Sequence, residues 1–101
     1  MKRDKRYHDW RNKVLERDDH KCVICKTSTK RLNAHHLIPK NFKEYEADVD
    51  NGLTLCVSHH TLGRFSAHKH PIWFSIWLEK NRPSLYWIAF QRLENEELNE
   101  T

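Results

Sequence analysis

The spacing of cysteine and histidine residues constrains this chain more than any other feature. Cys22 and Cys25 are separated by two residues, and Cys56 and His59 repeat that spacing about thirty residues later. Zinc in proteins takes four thiolate or imidazole ligands in a tetrahedron, and two such pairs can converge on one ion. These four residues therefore predict a structural zinc (Zn2+) site that would stabilise the middle of the chain. There are three alternatives. The cysteines are small buried side chains, or Cys22 and Cys25 form a redox motif, although the βαβ context that such a motif expects is missing, or His60 replaces His59 as the fourth ligand.

The chain length and the cysteine count narrow the class of protein. A chain of 101 residues is expected to form one domain, spanning 1–101, and a core this small often needs a metal ion. Three cysteines would leave one thiol unpaired, which argues against a disulfide framework. Neither a long apolar run nor a signal-peptide pattern is visible, so the sequence predicts a cytoplasmic protein without a membrane segment.

The charge is distributed unevenly along the chain. Residues 1–43 carry a net charge of +8 and residues 44–101 a net charge of −4. A localised basic surface suits a polyanion such as nucleic acid, although a solvated charged surface would give the same count. The candidate phosphate contacts in the basic half are Arg11, Lys13, Arg17, Lys26, Lys30, Arg31, Lys40 and Lys43.

The hydrophobic pattern predicts an α+β fold with a small central sheet. A helix is expected over 4–18, followed by a zinc knuckle at 21–31 and by short strands at 32–38 and 53–55. A further helix, opening near Val57 or Ser58, would carry His59 and His60. The apolar face of the first helix is predicted to be Tyr7, Trp10, Val14 and Leu15.

The C-terminal part, about 70–98, is predicted to be a helical extension. Pro71 suits the first position of a helix, and Ser84 is a candidate N-cap for a last helix that ends near residue 97. The four tryptophans are expected in the core rather than as platforms for base stacking. The predicted apolar faces are Ile72, Trp73, Ile76 and Trp77 in one helix, and Leu85, Ile88, Ala89 and Leu93 in the next.

Four residues outside the zinc set have the chemistry of a metal-assisted phosphodiesterase: His35, His36, Asn51 and His60. A neutral histidine can accept a proton from water at pH 7, and a divalent ion stabilises the charge that develops on the phosphate. Neighbouring residues of a strand point to opposite faces, so His35 and His36 are expected to share one site only where the strand bends or the metal lies at its edge. As alternatives, the two histidines are ordinary half-buried side chains, and Asn51-Gly52 is a turn dipeptide.

Together these motifs resemble the HNH endonuclease family. Ala-His-His-Leu-Ile-Pro at 34–39, Asn-Gly-Leu-Thr-Leu-Cys at 51–56 and the histidine pair at 59–60 match its pattern, and the Cys-x2-Cys is similar to its zinc-bound, phage-type branch. The resemblance covers roughly residues 20–62. It implies a small ββα-metal core with a structural zinc knuckle, flanked by an N-terminal helix and C-terminal helices.

The same resemblance implies roles for individual residues. His36 would be the general base, His35 and His60 would hold the catalytic divalent ion, and Asn51 would position the base or the metal loop. The pattern departs from the family at His59, where a fourth cysteine is usual. His68 and His70 follow the motif, and a surface loop is the expected place for both, although one of them could approach the catalytic metal.

The function implied by the resemblance is DNA hydrolysis that leaves a 5′-phosphate and a 3′-hydroxyl. The catalytic ion would be Mg2+ or another divalent metal such as Mn2+, Ni2+ or Zn2+, and phage packaging proteins are candidate partners. The main alternative is a zinc-knuckle module that binds nucleic acid without cutting it. A third is a zinc-stabilised adaptor that uses its C-terminal helices to bind another protein.

Overall fold

The computed structural model describes residues 4–100 of the chain. A two-stranded sheet lies between one helix on its first face and a helical hairpin on its second, which confirms the α+β class. Two short 3-10 turns lie between the strands and one π-helical turn follows them. The helices are α1 (Lys5–Arg17), α2 (Pro71–Asn81) and α3 (Pro83–Glu100), the strands are β1 (Leu32–His36) and β2 (Gly52–Cys56), and the π-helical turn is Ser58–Leu62.

Helix α1 forms as its sequence predicts. The carboxylate of Asp4 caps the helix by accepting a hydrogen bond from the Tyr7 backbone N–H. Trp10, Val14 and Leu15 are buried on one side and pack against Ala34 of the sheet. Helix α1 therefore covers the first face of the sheet.

Strands β1 and β2 pair antiparallel, with Leu32 opposite Cys56 and His36 opposite Gly52. Strand β2 is buried throughout, and its side chains alternate between the two layers, as strand geometry requires. Leu53 and Leu55 join the core on the hairpin side, whereas the Thr54 hydroxyl donates to the Val14 carbonyl of α1. The sheet thereby links two apolar cores, one on each face.

The first strand and the motif helix are shorter than expected. Strand β1 ends at His36 rather than at residue 38, because the Leu37 and Ile38 N–H groups bond to Asn51 in place of a strand partner. After β2 the chain makes only the π-helical turn, and the Gly63 N–H bonds back to the Ser58 carbonyl across five residues.

Helix α2 buries a different face from the predicted one. Ile72 and Ile76 are 71% and 63% exposed, while Phe74 and Leu78 are buried against Leu85 of α3. Trp73 and Trp77 pack partly against this core. Since α2 is apolar on nearly every side, its periodicity could not identify the inner stripe.

The hairpin turn also differs from expectation. Helix α3 begins at Pro83, and the Tyr86 N–H bonds to the Arg82 carbonyl, so Ser84 lies inside the first turn and is not the N-cap. Proline is favoured at this position because its missing N–H would be unpaired there anyway. Pro71 begins α2 as predicted.

Two apolar residues of α3 that were expected in the core are exposed. Trp87 is 51% exposed and Leu93 39% exposed, so neither is in the core, whereas Trp10 is 2% exposed. Within residues 4–100, no helix has the length and apolarity that a membrane crossing requires.

Candidate functional site

Cys22, Cys25, Cys56 and His59 converge on one point beside the sheet. Their ligand atoms all lie within 4.8 Å of one another. The Sγ atoms of Cys25 and Cys56 are 3.8 Å apart, and His59 Nδ1 is 3.4 Å from Cys56 Sγ. A tetrahedral ion with Zn–S bonds of about 2.3 Å requires S···S separations of about 3.8 Å. The donor set and its spacing therefore fit one zinc ion, with His59 rather than His60 at the fourth corner.

The knuckle around Cys22 favours the thiolate form that a metal requires. Burial by itself raises the pKa of the Cys22 thiol, but the backbone N–H groups of Cys25, Cys56 and Ile24 point at its sulfur and bring the pKa below its ordinary value. Lys26 closes the turn in the left-handed region with φ of 65°, and its N–H bonds to the Cys22 carbonyl.

A second cluster is formed by His35, His60 and His68. Their ligand nitrogens also lie within 4.8 Å of one another, and Nε2 of His60 is 3.1 Å from Nε2 of His68. Two nitrogen ligands of one ion, each at about 2.1 Å and at right angles, are about 3.0 Å apart. The cluster therefore has the donor type and the spacing for a divalent ion distinct from the zinc.

Adjacent histidines serve the two clusters because of local backbone geometry. Successive side chains around a helical turn point in different directions, so His59 faces Cys56 and His60 faces His35. The loop after the turn is tied back to it, since the His68 N–H bonds to the His60 carbonyl. The surface-loop expectation for His68 was incomplete: the side chain is exposed but belongs to the cluster.

His70, the other histidine left open by the sequence, has a different place. Its Nδ1 accepts a hydrogen bond from the Trp73 N–H, so the side chain caps α2. His70 is not part of either cluster.

His36 lies on the opposite face of β1 from His35, as the alternation of strand side chains predicts. Its ring stacks on the Trp10 indole at 3.9 Å between centroids and 9° between planes. Its Nε2 is 2.8 Å from the Glu46 carbonyl oxygen. A carbonyl only accepts, so Nε2 carries the proton and Nδ1 is left as the acceptor of a neutral ring.

One groove of about 820 Å³ is nevertheless lined by both histidines and by Leu37, Pro39 and Lys40, which follow β1 in the chain. Both clustered residues His60 and His68 also line it. His35 and His36 therefore line the same groove although they lie on opposite faces of β1.

Asn51 holds the segment that connects the strands. Its Oδ1 accepts from the Ile38 N–H, and its Nδ2 donates to the Ile38 and Tyr45 carbonyls. Asn51 is 1% exposed, so these bonds form without competition from water. The same segment carries the Glu46 carbonyl, and Asn51 therefore fixes the partner of His36.

The pKa values of His35, His36 and His60 are lowered. Burial, followed by the charges of His60, His68 and His36, lowers the pKa of His35 to about 3. Burial and the charge of His68 lower the pKa of His60 to about 4. Burial also lowers the pKa of His36, against the opposing effect of the Glu46 carbonyl. Neutral imidazole is the form that binds metals and accepts protons.

Two members of the basic set are used inside the protein. The Arg17 guanidinium bonds to Asp18 and to the carbonyls of Val49 and Gly52, and Arg11 bonds to the Leu32 carbonyl. Both arginines therefore have structural contacts. The other six members of the set are all exposed: Lys13, Lys26, Lys30, Arg31, Lys40 and Lys43. Lys40 lines the groove.

Sequence reasoning missed two residues that contact the site histidines. Trp10 was assigned only to the core, and Asn33, whose Nδ2 lies 3.2 Å from His60 Nδ1, was not considered. Asn33 is two residues before His35 on β1 and therefore shares its face. That alternation was the available signal.

Comparison with known proteins gives two matches. Residues 22–68 match the profile of the HNH endonuclease family. Over 61 residues the chain is 33% identical to Anaredoxin of Nostoc sp. (strain PCC 7120), an alignment that spans 60% of this chain and 79% of that protein. No solved structure shows significant similarity to the chain.

Proposed function

The chain belongs to the HNH endonuclease family, and we propose that it hydrolyses DNA with His36 as the general base and a divalent ion held by His35, His60 and His68. The observation that carries the proposal is the convergence of those three imidazoles in the groove that His36 also lines. A divalent ion in such a site supplies charge stabilisation at the phosphate and at the leaving oxygen.

His36 is suited to take a proton from water. Its Nε2–H is directed to the Glu46 carbonyl, so Nδ1 is the basic nitrogen. The Trp10 stack on one side and the Glu46 bond on its edge restrict rotation of the ring. A held ring with a lowered pKa is ready to accept a proton at neutral pH without first losing one.

Asn51 is proposed to act as a positioning residue rather than to touch the substrate. It is buried and its amide is used by the Ile38 and Tyr45 backbone. The loss of Asn51 would free the 37–46 segment and move the Glu46 carbonyl away from His36.

The cysteine cluster is proposed to hold a structural zinc. Four protein ligands leave no position open for substrate, and the cluster ties the 21–27 turn to β2 and the π-helical turn. A Cys25→Ala variant should lose zinc, measured by atomic emission, together with cooperative urea unfolding. Full zinc content and an unchanged unfolding midpoint in that variant would contradict the structural role.

A plasmid-nicking assay in Mg2+ or Mn2+ tests the catalytic proposal. We expect His36→Ala to lower the nicking rate by about 10²- to 10⁴-fold, the usual contribution of a general base, with zinc content unchanged. His8→Ala is the matched control, because His8 is an exposed histidine of α1 outside both clusters and should nick like the wild type.

The same assay, combined with a gel-shift measurement, distinguishes a nuclease from a module that binds nucleic acid without cutting it. If wild type and His36→Ala both retain zinc and both retard DNA in a gel, but neither nicks it, the catalytic proposal is wrong. The protein would then be a zinc-knuckle module that binds nucleic acid, with an affinity that falls as salt rises.

A further inference from the structure

The groove that contains the histidines continues into an aromatic channel. Its far wall comes from one face of α3, where Tyr86, Phe90 and Leu93 line it at helical spacing. The α2/α3 hairpin packs on the sheet through Phe74, Leu78 and Leu85. Phe90 remains 46% exposed and Leu93 39% exposed, so this wall is accessible from the groove.

The channel adjoins the histidine cluster directly. The His35 ring makes an edge contact with Phe74 at 5.4 Å between centroids, and Phe74 lines the groove. A nucleotide whose phosphate reaches His35, His60 and His68 therefore has its base within reach of the aromatic wall.

The polar groups of the groove fit a polyanion. Histidines and Lys40 line it, and no Asp or Glu is present among its described lining residues. This is notable because α3 is rich in glutamate. One of those glutamates, Glu96, accepts a hydrogen bond from Tyr45 on another part of the surface. Positive and neutral polar groups at one end, with aromatic rings at the other, are the two components of single-strand recognition.

We propose that this channel is a subsite for an unpaired nucleobase next to the phosphate held by the histidines. In a duplex the bases are stacked and paired inside the helix, so they cannot enter a channel between protein elements. The subsite would favour single strands, flaps and gaps over intact duplex. This proposal rests on the proposed function, since the phosphate end of the subsite is the catalytic cluster.

Binding without cleavage tests the subsite. Zinc-loaded protein with no catalytic metal added is titrated into a fluorescently labelled single-stranded oligonucleotide, into the same strand carrying abasic sites, and into its duplex. We expect the normal strand to bind about tenfold more tightly than the abasic strand, the size of one stacked base. We expect Phe90→Ala to remove that difference and to leave duplex binding unchanged.

Phe65→Ala is the matched control. Phe65 is 50% exposed, close to the exposure of Phe90, but it does not line the groove. It should retain the preference for the normal strand. Equal binding of normal and abasic strands by the wild type, or equal effects of Phe65→Ala and Phe90→Ala, would overturn the subsite.

Two further outcomes are distinguishable. A protein that prefers the normal strand through Phe90 but never nicks DNA has the subsite and lacks the proposed nuclease activity. In the other outcome, light scattering shows a dimer for the wild type and a monomer for Phe90→Ala, and neither protein prefers the normal strand. The wall formed by α3 would then bind a second copy of the chain, and the proposed subsite would be wrong.

Discussion

At the scale of single residues, Asn33 contacts His60, one of the three proposed metal ligands. Its side-chain amide lies beside Nδ1 of His60, and the opposite ring nitrogen faces His68. In the structure the amide nitrogen Nδ2 faces Nδ1. A metal at Nε2 requires the proton on Nδ1, and a rotation of the amide by about 180° then turns its oxygen toward that N–H. Partners of this kind fix both the tautomer and the orientation of a ligating histidine.

We therefore expect Asn33→Leu to weaken Mn2+ binding at the histidine cluster by about 10- to 100-fold. Isothermal titration of zinc-loaded protein measures this, and Asn33→Asp should restore binding because a carboxylate also accepts from Nδ1–H. Asn12→Leu, an exposed asparagine of α1, should bind Mn2+ like the wild type. Equal Mn2+ affinity in Asn33→Leu and the wild type would refute the positioning role.

The turn between Cys22 and Lys26 strains the backbone of Lys26. With φ of 65° Lys26 occupies the left-handed region, where a residue with a Cβ is strained by about 1–2 kcal/mol. Lys26→Gly should raise the free energy of unfolding of the zinc-loaded protein by about 0.5–1 kcal/mol in urea denaturation. Lys30→Gly, an exposed lysine without positive φ, should instead destabilise slightly. A loss of stability in both variants would show that Lys26 is unstrained.

The sequence predicted the members of one cluster of potential metal ligands better than those of the other. The spacing of the two x2 pairs named Cys22, Cys25, Cys56 and His59, and the structure brings these four side chains together, whereas the choice between His59 and His60 was left open by the sequence. The third histidine of the second cluster was left open, because His68 reaches His60 through backbone bonds of the 63–70 loop. Loop closure of this kind has no periodic signature.

At the scale of elements, β2 was predicted because its apolar residues and its turn signals agree. Helix α2 was predicted as a helix but with the wrong inner face. Phe74 and Leu78 are selected by contact with Leu85 of α3, which is a tertiary choice among several apolar stripes. Local periodicity identifies a buried stripe only when the other faces are polar.

Gly52 determines how closely α1 approaches the sheet. A Cβ at this position would collide with the Val14 side chain and would lie 2.9 Å from the Trp10 ring. We expect Gly52→Ala to cost about 1–3 kcal/mol of stability, the usual penalty of overpacking. Because the displaced Trp10 ring stacks on His36, the nicking rate should also fall at temperatures where the variant is folded.

A double-mutant comparison with Val14→Ala shows whether Gly52→Ala destabilises the protein through this steric clash. Val14→Ala removes one of the atoms that the new Cβ meets, so Gly52→Ala combined with Val14→Ala should cost less than the sum of the two single changes. Urea denaturation of the four proteins measures the coupling. Additive costs would mean that the tight contact with α1 does not limit this position.

At the scale of the whole molecule, the general architecture followed from the resemblance, and its assembly did not. The sheet and the flanking helices were predicted, and so was the grouping of three cysteines with a histidine. The groove between β1 and the hairpin depends on where α2 and α3 lie in space. The cytoplasmic location, a partnership with phage packaging proteins and the single-domain organisation remain predictions, since none of them can be checked from the fold.

Asp18 joins the three layers through one buried carboxylate. It pairs with Arg17 of α1 at 2.8 Å and with Arg82 of the hairpin turn at 3.1 Å, and it accepts from the Thr54 N–H of β2. Burial by itself raises the pKa of Asp18, but the hydrogen bonds from Arg17 and Thr54 outweigh it and hold the pKa below 3.8. The ionised form is thus the one that the fold stabilises.

This lowered pKa predicts how stability depends on acid. A carboxyl group whose folded pKa lies below its unfolded value contributes stability above the unfolded pKa and loses it as pH falls through the folded pKa. Asp18→Asn should therefore cost about 3 kcal/mol at neutral pH, the usual result of breaking a buried pair. The difference in unfolding free energy between wild type and Asp18→Asn should be equal at pH 8 and pH 6 and should become smaller below about pH 4.

Urea denaturation at each pH, with excess zinc, measures the difference between wild type and variant, in which acid effects on the zinc ligands cancel. Asp19→Asn is the control, because the side chain of Asp19 is 90% exposed and should change stability by less than about 0.5 kcal/mol at any pH. A cost for Asp18→Asn that stays constant into acid would mean that its charge does not hold the layers together. A stability cost of Asp18→Asn that becomes smaller in acid would show that the ionised Asp18 carboxylate links α1, the sheet and the hairpin. The same group would then hold in place the hairpin whose α3 face forms one wall of the groove.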